Sequence, residues 1–264
     1  MKIFKPNRGN GFVKGSERVG EITTTYMSDD FTGNDGDPPD LTKWNVISVL
    51  DGDGSYLNIQ ENKYEFNGNS EGGHFDECYA HVFGLGIIDA GENFTVDIDW
   101  NLESFAIPEE IFGSAWNYFQ FAVLTEGGGF IGQVIRSVSF NEGQRLLGSS
   151  FAGGDNDTIA MTDTSGQFRF KRVSNIITLY YKVNGTWEWD GNAAGLNIGT
   201  SAGAVKFYMR FNQGTGTPML VQVDNFIAAI STTSNRAMYV FDKEAQPKVF
   251  KSFNKKVRRP KIWR

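Results

Sequence analysis

The sequence predicts an all-β protein, an antiparallel β-sandwich with extended N- and C-terminal arms. Three observations lead there. From Glu21 to about Ile230, short segments alternate apolar and polar residues with period two, which leaves one face buried and one wet. Glycine is abundant at 31 residues and, with Asn and Asp, separates those segments as turns. Charge is partitioned: residues 1–20 carry a net +4, residues 243–264 a net +8, and the 21–242 body a net −18.

The elements follow in order. Residues 1–20 are polar and Gly-rich without a period, and read as an extended basic arm. The sandwich occupies 21–242. In "YLNIQENKYEFNG", Leu57 and Ile59 share a face, followed by Tyr64 and Phe66. "NFTVDIDW" sets Phe94, Val96, Ile98 and Trp100 against Thr95, Asp97 and Asp99. "QFRFKRV", "IITLYYKV", "VKFYMRF" and "MLVQVDNFIAAI" alternate in the same way. Asn184-Gly185 is a hairpin turn, because both central positions of a type I′ turn need positive φ. "DGDGS" at 51–55 also reads as a hairpin turn, "EGGGF" (126–130) and "NQGTGTP" (212–218) as loops, and helix is limited to a turn or two near "DLTKW" or "PEEIF". No internal repeat or linker divides the body. Residues 243–264 form a second basic arm, entered through the strand-like "AMYVFD".

Composition restricts the setting. A single cysteine, Cys78, excludes an internal disulfide and reads as a small buried hydrophobe. The basic start "MKIFKPNRGNGF" lacks the apolar run of a secretory signal, and no stretch approaches a membrane span. The expectation is cytosolic synthesis without membrane insertion.

"SDDFTGNDGDPPDLTKWNV" resembles the opening of concanavalin A-like jelly rolls, the lectin/glucanase superfamily with its laminin-G-like relatives. There an acidic-Phe strand precedes a polar loop and a turn ending in Trp. "GQFRFKRVSNIITLYYKVNGTWE" resembles the late hairpin of that superfamily, and "VQVDNFIAAI" its closing strand. The resemblance covers roughly 28–230 and implies a jelly roll that hosts lectins, glycosidases and structural modules alike.

Related glycosidases carry Glu-x-Asp-x-Glu or Glu-x-Asp-x-x-Glu on one strand, since hydrolysis needs two flanking acids. Here "DIDWNLE" offers Asp97 and Asp99 on one face, but Asn101 takes the next alternate position and Glu103 lies one beyond the longer spacing. Two solvated acids on an outer face is the plainer reading, and no enzyme is expected. In "HFDECYAH" the strand period sends His74, Asp76 and Cys78 to one face and Glu77 and His81 to the other, so no zinc site or triad converges. No cofactor is required. The resemblance implies one structural calcium, with Asp224 matching the closing-strand acid and Asp30 in the opening strand; a calcium needs six to eight oxygens. Trp116, Tyr118, Trp187 and Trp189 are the candidate glycan contacts, since rings stack on the apolar faces of pyranoses; Trp187 and Trp189 share a face by alternation. Packing in the sandwich core is the competing reading.

The C-terminal "KSFNKKVRRPKIWR" contains seven cations and no acid. Three readings compete: a nucleic-acid tail, a solvated tail and an assembly arm. Phe253 and Trp263 among Lys251, Lys255, Lys256, Arg258, Arg259, Lys261 and Arg264 favour an arm that docks on an acidic neighbour. Nucleic acid is the least favoured partner. The combination points to a non-enzymatic virion component of a bacteriophage, in its capsid decoration, tail or fibre. The jelly roll would be displayed and the arms anchored on copies of itself or on other virion proteins. A module binding surface glycans is the alternative, and a glycoside hydrolase the remote one.

Overall fold

The computed structural model describes residues 20–50, 54–69, 78–105, 116–139, 143–214 and 218–234. Residues 1–19 and 243–264 of the basic arms, "AMYVFD", "PEEIF" and His74, Asp76 and Glu77 lie outside the described residues, and Gly20 already belongs to the first strand. The compact unit that carries the strands is Thr23–Thr232. No helix occurs among the described residues, and none long and apolar enough to cross a membrane.

Sixteen strands are described: β1 (Gly20–Asp29), β2 (Trp44–Leu50), β3 (Tyr56–Gln60), β4 (Lys63–Gly68), β5 (Cys78–Gly84), β6 (Asn93–Phe105), β7 (Trp116–Thr125), β8 (Phe130–Ser139), β9 (Gly143–Ser150), β10 (Asp157–Ala160), β11 (Ser165–Val173), β12 (Ile176–Val183), β13 (Thr186–Glu188), β14 (Leu196–Thr200), β15 (Val205–Gln213) and β16 (Met219–Ser234). They form two antiparallel sheets. Nine strands make one, in the order β13-β12-β11-β6-β16-β4-β3, with β1 on β16 and β14 on β12; seven make the other, β10-β9-β8-β7-β15-β5-β2. The result is the antiparallel sandwich that the alternating segments imply.

Period two builds the core directly. Phe94, Val96, Ile98 and Trp100 of β6 point inward and are buried, while Thr95, Asp97 and Asp99 face out. Across the gap, Phe119, Phe121 and Val123 of β7 and Phe207, Met209 and Phe211 of β15 answer them. Aromatic contacts lock the two layers, with Phe119–Phe168 centroids 6.3 Å apart and Phe121–Phe170 5.0 Å apart. Cys78 is buried in this core.

The opening motif has a physical basis. The buried Asp29 carboxylate accepts from Phe31 N–H at 2.9 Å and from the Trp44 indole N–H at 2.8 Å, with Lys43 Nζ at 3.8 Å. That bond ties the start of the loop to its end, and Phe31 then stacks on Trp44 and Tyr64. "DLTKW" closes as one turn, with Lys43 and Trp44 N–H groups donating to Asp40 O.

Asn184 (φ 49°) and Gly185 (φ 82°) form the expected turn between β12 and β13. Two expectations need correction. "DGDGS" is not a hairpin: β2 pairs with β5 and β3 with β4, so the chain crosses between sheets there, and 51–53 lie outside the described residues. The alternation of "VQVDNFIAAI" also breaks. Asp224 pairs with Asp99 but Ile227 with Asp97, so a bulge intervenes, and Asn225 takes φ 48°. That extra residue turns Phe226 and Ala228 inward and exposes Ile227.

Candidate functional site

The sandwich has two outward faces, and the candidate residues divide between them. On the nine-stranded sheet, Asp97 is held by Arg169 in a two-pronged ion pair, with Nε–Oδ1 and Nη2–Oδ2 both 2.6 Å. The Arg169 guanidinium also lies 3.9 Å from the Trp187 ring centroid, and Lys182 Nζ 5.5 Å from the same ring. Asp99 accepts from Gln167 and, at 2.9 Å, from Asn225 Nδ2. These acids therefore face outward, as alternation predicts, but they are engaged by partners rather than simply solvated. A cavity of about 290 Å³ beside them is lined by Lys63, Asp99, Asn101, Gln167, Gln222 and Asp224.

Asp224 is placed opposite Asp99 across the β6–β16 ladder. Burial, and then the neighbouring Asp99 and Asp30 charges, raise its pKa above the ordinary carboxylate value despite the Asn225 N–H bond and Lys63. Asp30 accepts from Thr32 Oγ1 at 3.1 Å. Among the described residues no group of three or more His, Cys, Asp or Glu is placed to hold a metal. Two carboxylates, each already hydrogen-bonded, do not by themselves fit a hard cation that wants six to eight oxygens.

Trp187 and Trp189 do not share a face. Trp187 lies over cations on the outer surface, whereas Trp189 is 3% exposed and its indole N–H donates to Asp157 Oδ2 at 2.7 Å. The reason is local: β13 ends at Glu188, Trp189 bridges back to Asn192, and Asp190 takes φ 45°, so alternation stops before Trp189. The Trp189 ring is core and is not offered to a ligand.

The seven-stranded sheet presents the other face. Register places three rows side by side: Tyr79, Asn212, Tyr118, Ser137 and Arg145; His81, Arg210, Gln120 and Ile135; Phe83, Tyr208, Ala122 and Gln133. Trp116 flanks the first row, with the Arg145 guanidinium 4.6 Å from its ring centroid. Arg210 lies 5.2 Å from the Tyr118 ring. Tyr208 Oη and His81 Nδ1 are 2.8 Å apart, and Phe83 and Phe130 pack against Tyr208 at 4.9 and 5.6 Å. Ala122, Leu124 and Tyr208 are buried here, as a small apolar cluster separate from the main core. Burial, followed by the Arg210 charge, lowers the His81 pKa. Among the described residues no outward-facing strand position of this sheet carries Asp or Glu.

Trp116 and Tyr118 thus share one face, apart from Trp187 on the opposite one. The sequence reading missed Arg145, Tyr208, Arg210 and the outward role of His81. The signal was present in "VKFYMRF", whose outward alternate residues are Lys206, Tyr208 and Arg210, but their neighbours are supplied by the β7–β15 and β5–β15 pairings.

No protein-family model and no curated protein matches the chain in sequence. Solved structures share the fold. The CBM2 module of the evolved Dit of Lactobacillus casei BL23 phage J-1 superposes with a TM-score of 0.54 at 8% identity, over 82% of this chain and 100% of that one. A Mycobacterium abscessus protein proposed to be a beta-glucanase gives 0.53 at 10% identity, over 78% and 100%. An endo-acting O-glycanase of the human gut microbiota gives 0.53 at 11%, over 78% and 98%.

Proposed function

We propose that the chain is a non-enzymatic glycan-binding β-sandwich, displayed on a bacteriophage particle and anchored by its basic arms. The observation that carries the binding reading is the outward face of the seven-stranded sheet. It groups the half-buried Trp116, Tyr118, Tyr79 and Arg210, packed over the buried Tyr208, Asn212 and Gln120. Rings give flat apolar area for pyranose faces, and the half-buried guanidinium of Arg210 gives donors for polar groups of a sugar. A Dit module of a phage among the fold neighbours is consistent with the setting as an analogy of fold.

The test is a glycan array probed with the full chain, with the Trp116→Ala/Tyr118→Ala double variant and with Trp187→Ala. Loss of two central aromatic contacts should weaken binding by roughly 30-fold or more, with Trp187→Ala unchanged. Equal binding by the double variant, or loss on Trp187→Ala alone, would move the site to the other face.

The anchoring reading rests on the charge split of +4, −18 and +8 between arms and body. Light scattering of the full chain and of a chain ending at Asp242, at low and high salt, tests it. Salt-sensitive self-association confined to the full chain supports the arm as a docking element. Monomers throughout would remove self-assembly.

A further inference from the structure

Arg210 occupies the middle row of the seven-stranded face, between His81 on β5 and Gln120 on β7. It is half-buried, and its Nε is buried without a hydrogen-bond partner. Its Nη2 donates to Asn212 Oδ1 at 3.1 Å, which is the one hydrogen bond its guanidinium makes among the described residues. No carboxylate pairs with it there. Other guanidinia use more of their donors: the Nε of the buried Arg136 likewise makes no hydrogen bond among the described residues, but its Nη groups donate to Ser137 O, Gln144 Oε1 and Asp163 O at 3.0, 2.6 and 3.1 Å. Arg172 donates to the carbonyls of Glu92, Gly203 and Asp89 at 2.7, 2.7 and 2.8 Å, and Arg169 has Asp97. A guanidinium withdrawn from water costs free energy unless its donors are used. Arg210 keeps donors unused at the centre of an aromatic surface, with Arg145 on its far side and Lys206 on its own strand, in a body of net −18.

From this we infer that the face selects an anionic saccharide, with Arg210 as the specificity-determining residue that takes the carboxylate or sulfate group in a charge-assisted fork. The inference rests on the glycan-binding reading above and narrows it. The planar guanidinium matches either oxyanion two-pronged, Tyr118 backs its plane, and the half-buried Trp116 on the same strand face is left to receive a sugar ring, while Tyr208 is buried beneath Phe83 and Phe130. His81, the one other titratable group of that row, faces Arg210 and stays neutral at physiological pH, which leaves the charge recognition to the arginine.

Calorimetric titration of the full chain with three hexasaccharides of matched length tests this: a neutral β-glucan, a uronate oligomer and a sulfated galactan oligomer. Wild type should bind at least one anionic probe roughly tenfold or more tighter than the neutral one, and the preference between uronate and sulfate identifies the source of the anion. Arg210→Gln should cost the anionic probe roughly 10- to 100-fold while changing neutral binding by less than about threefold. Arg210→Lys, which keeps the charge and loses the fork, should fall between, with melting curves confirming that both variants fold. Equal affinity for neutral and anionic probes, or an Arg210→Gln variant indistinguishable from wild type, overturns the anionic assignment alone. Failure of folded wild type to bind any saccharide overturns the glycan reading with it. Self-association that Arg210→Gln abolishes would make a second copy the occupant and overturn both.

Discussion

Tyr208 Oη and His81 Nδ1 are 2.8 Å apart on neighbouring strands, with Arg210 directly across from the same histidine. Protonating His81 would place a second cation beside that guanidinium in a partly dry setting. Burial is the larger cause of its lowered pKa, and Arg210 the smaller.

Stability should therefore depend on acid in a definite direction. His81 binds a proton less readily folded than unfolded, where its pKa is about 6.5. Its contribution is complete above that value and is lost as pH falls through the lower folded pKa. Urea midpoints between pH 7.5 and 5 should fall in wild type and fall less in His81→Gln. Parallel slopes would show that His81 has no part in it.

Asp224 has the opposite sign. Its folded pKa is raised, by burial first, so its ionised form is disfavoured in the folded state and stability is lost as pH rises through that pKa. Asp224→Asn should melt higher than wild type near pH 7. Millimolar calcium should leave both melting temperatures unchanged. A calcium-dependent rise in wild type that Asp224→Asn removes would support the ion implied by the resemblance.

Asp29 fastens the opening loop. Truncating it leaves the Phe31 N–H and the Trp44 indole N–H without their acceptor inside the protein. Asp29→Ala should cost about 2–3 kcal/mol in chemical denaturation, because a stranded buried donor forfeits its solvation. A loss below about 0.5 kcal/mol would mean that water replaces the carboxylate.

Gly153 and Gly154 make a matched pair. A Cβ on Gly154 would stand 2.4 Å from Gly199 N and 2.6 Å from Asn197 O, both backbone atoms that cannot swing aside. Gly153 has φ 74° and open space around it. Gly154→Ala should cost at least about 2 kcal/mol by overpacking, and Gly153→Ala about 1 kcal/mol from the left-handed backbone alone. Urea midpoints rank the two, and a reversed order would deny the clash.

Local chemistry carried most of the fold. The core faces of β6, β11 and β15 and the Asn184-Gly185 turn were readable because period two and positive φ are properties of adjacent residues. The failures occurred where one residue broke phase. Asn225 inserts a bulge, and Asp190 ends the alternation that would have set Trp189 beside Trp187. The crossover at "DGDGS" could not be told from a hairpin, because a turn signal does not say which sheet receives the next strand. The candidate site was half visible. Trp116 and Tyr118 were conspicuous as exposed-capable rings, but Arg210 joins them only through pairing across some 90 residues of chain, which no local pattern encodes.

The strands of the seven-stranded sheet turn cations and rings outward and no described carboxylate, while the body as a whole is strongly acidic. Such a domain is an electric dipole. In front of a polyanionic surface it experiences a torque within about 8 Å, the screening length at physiological salt. That torque turns the Arg210 side forward before any contact forms, so the rate of productive encounter should fall with added salt sooner than the lifetime of the bound state does.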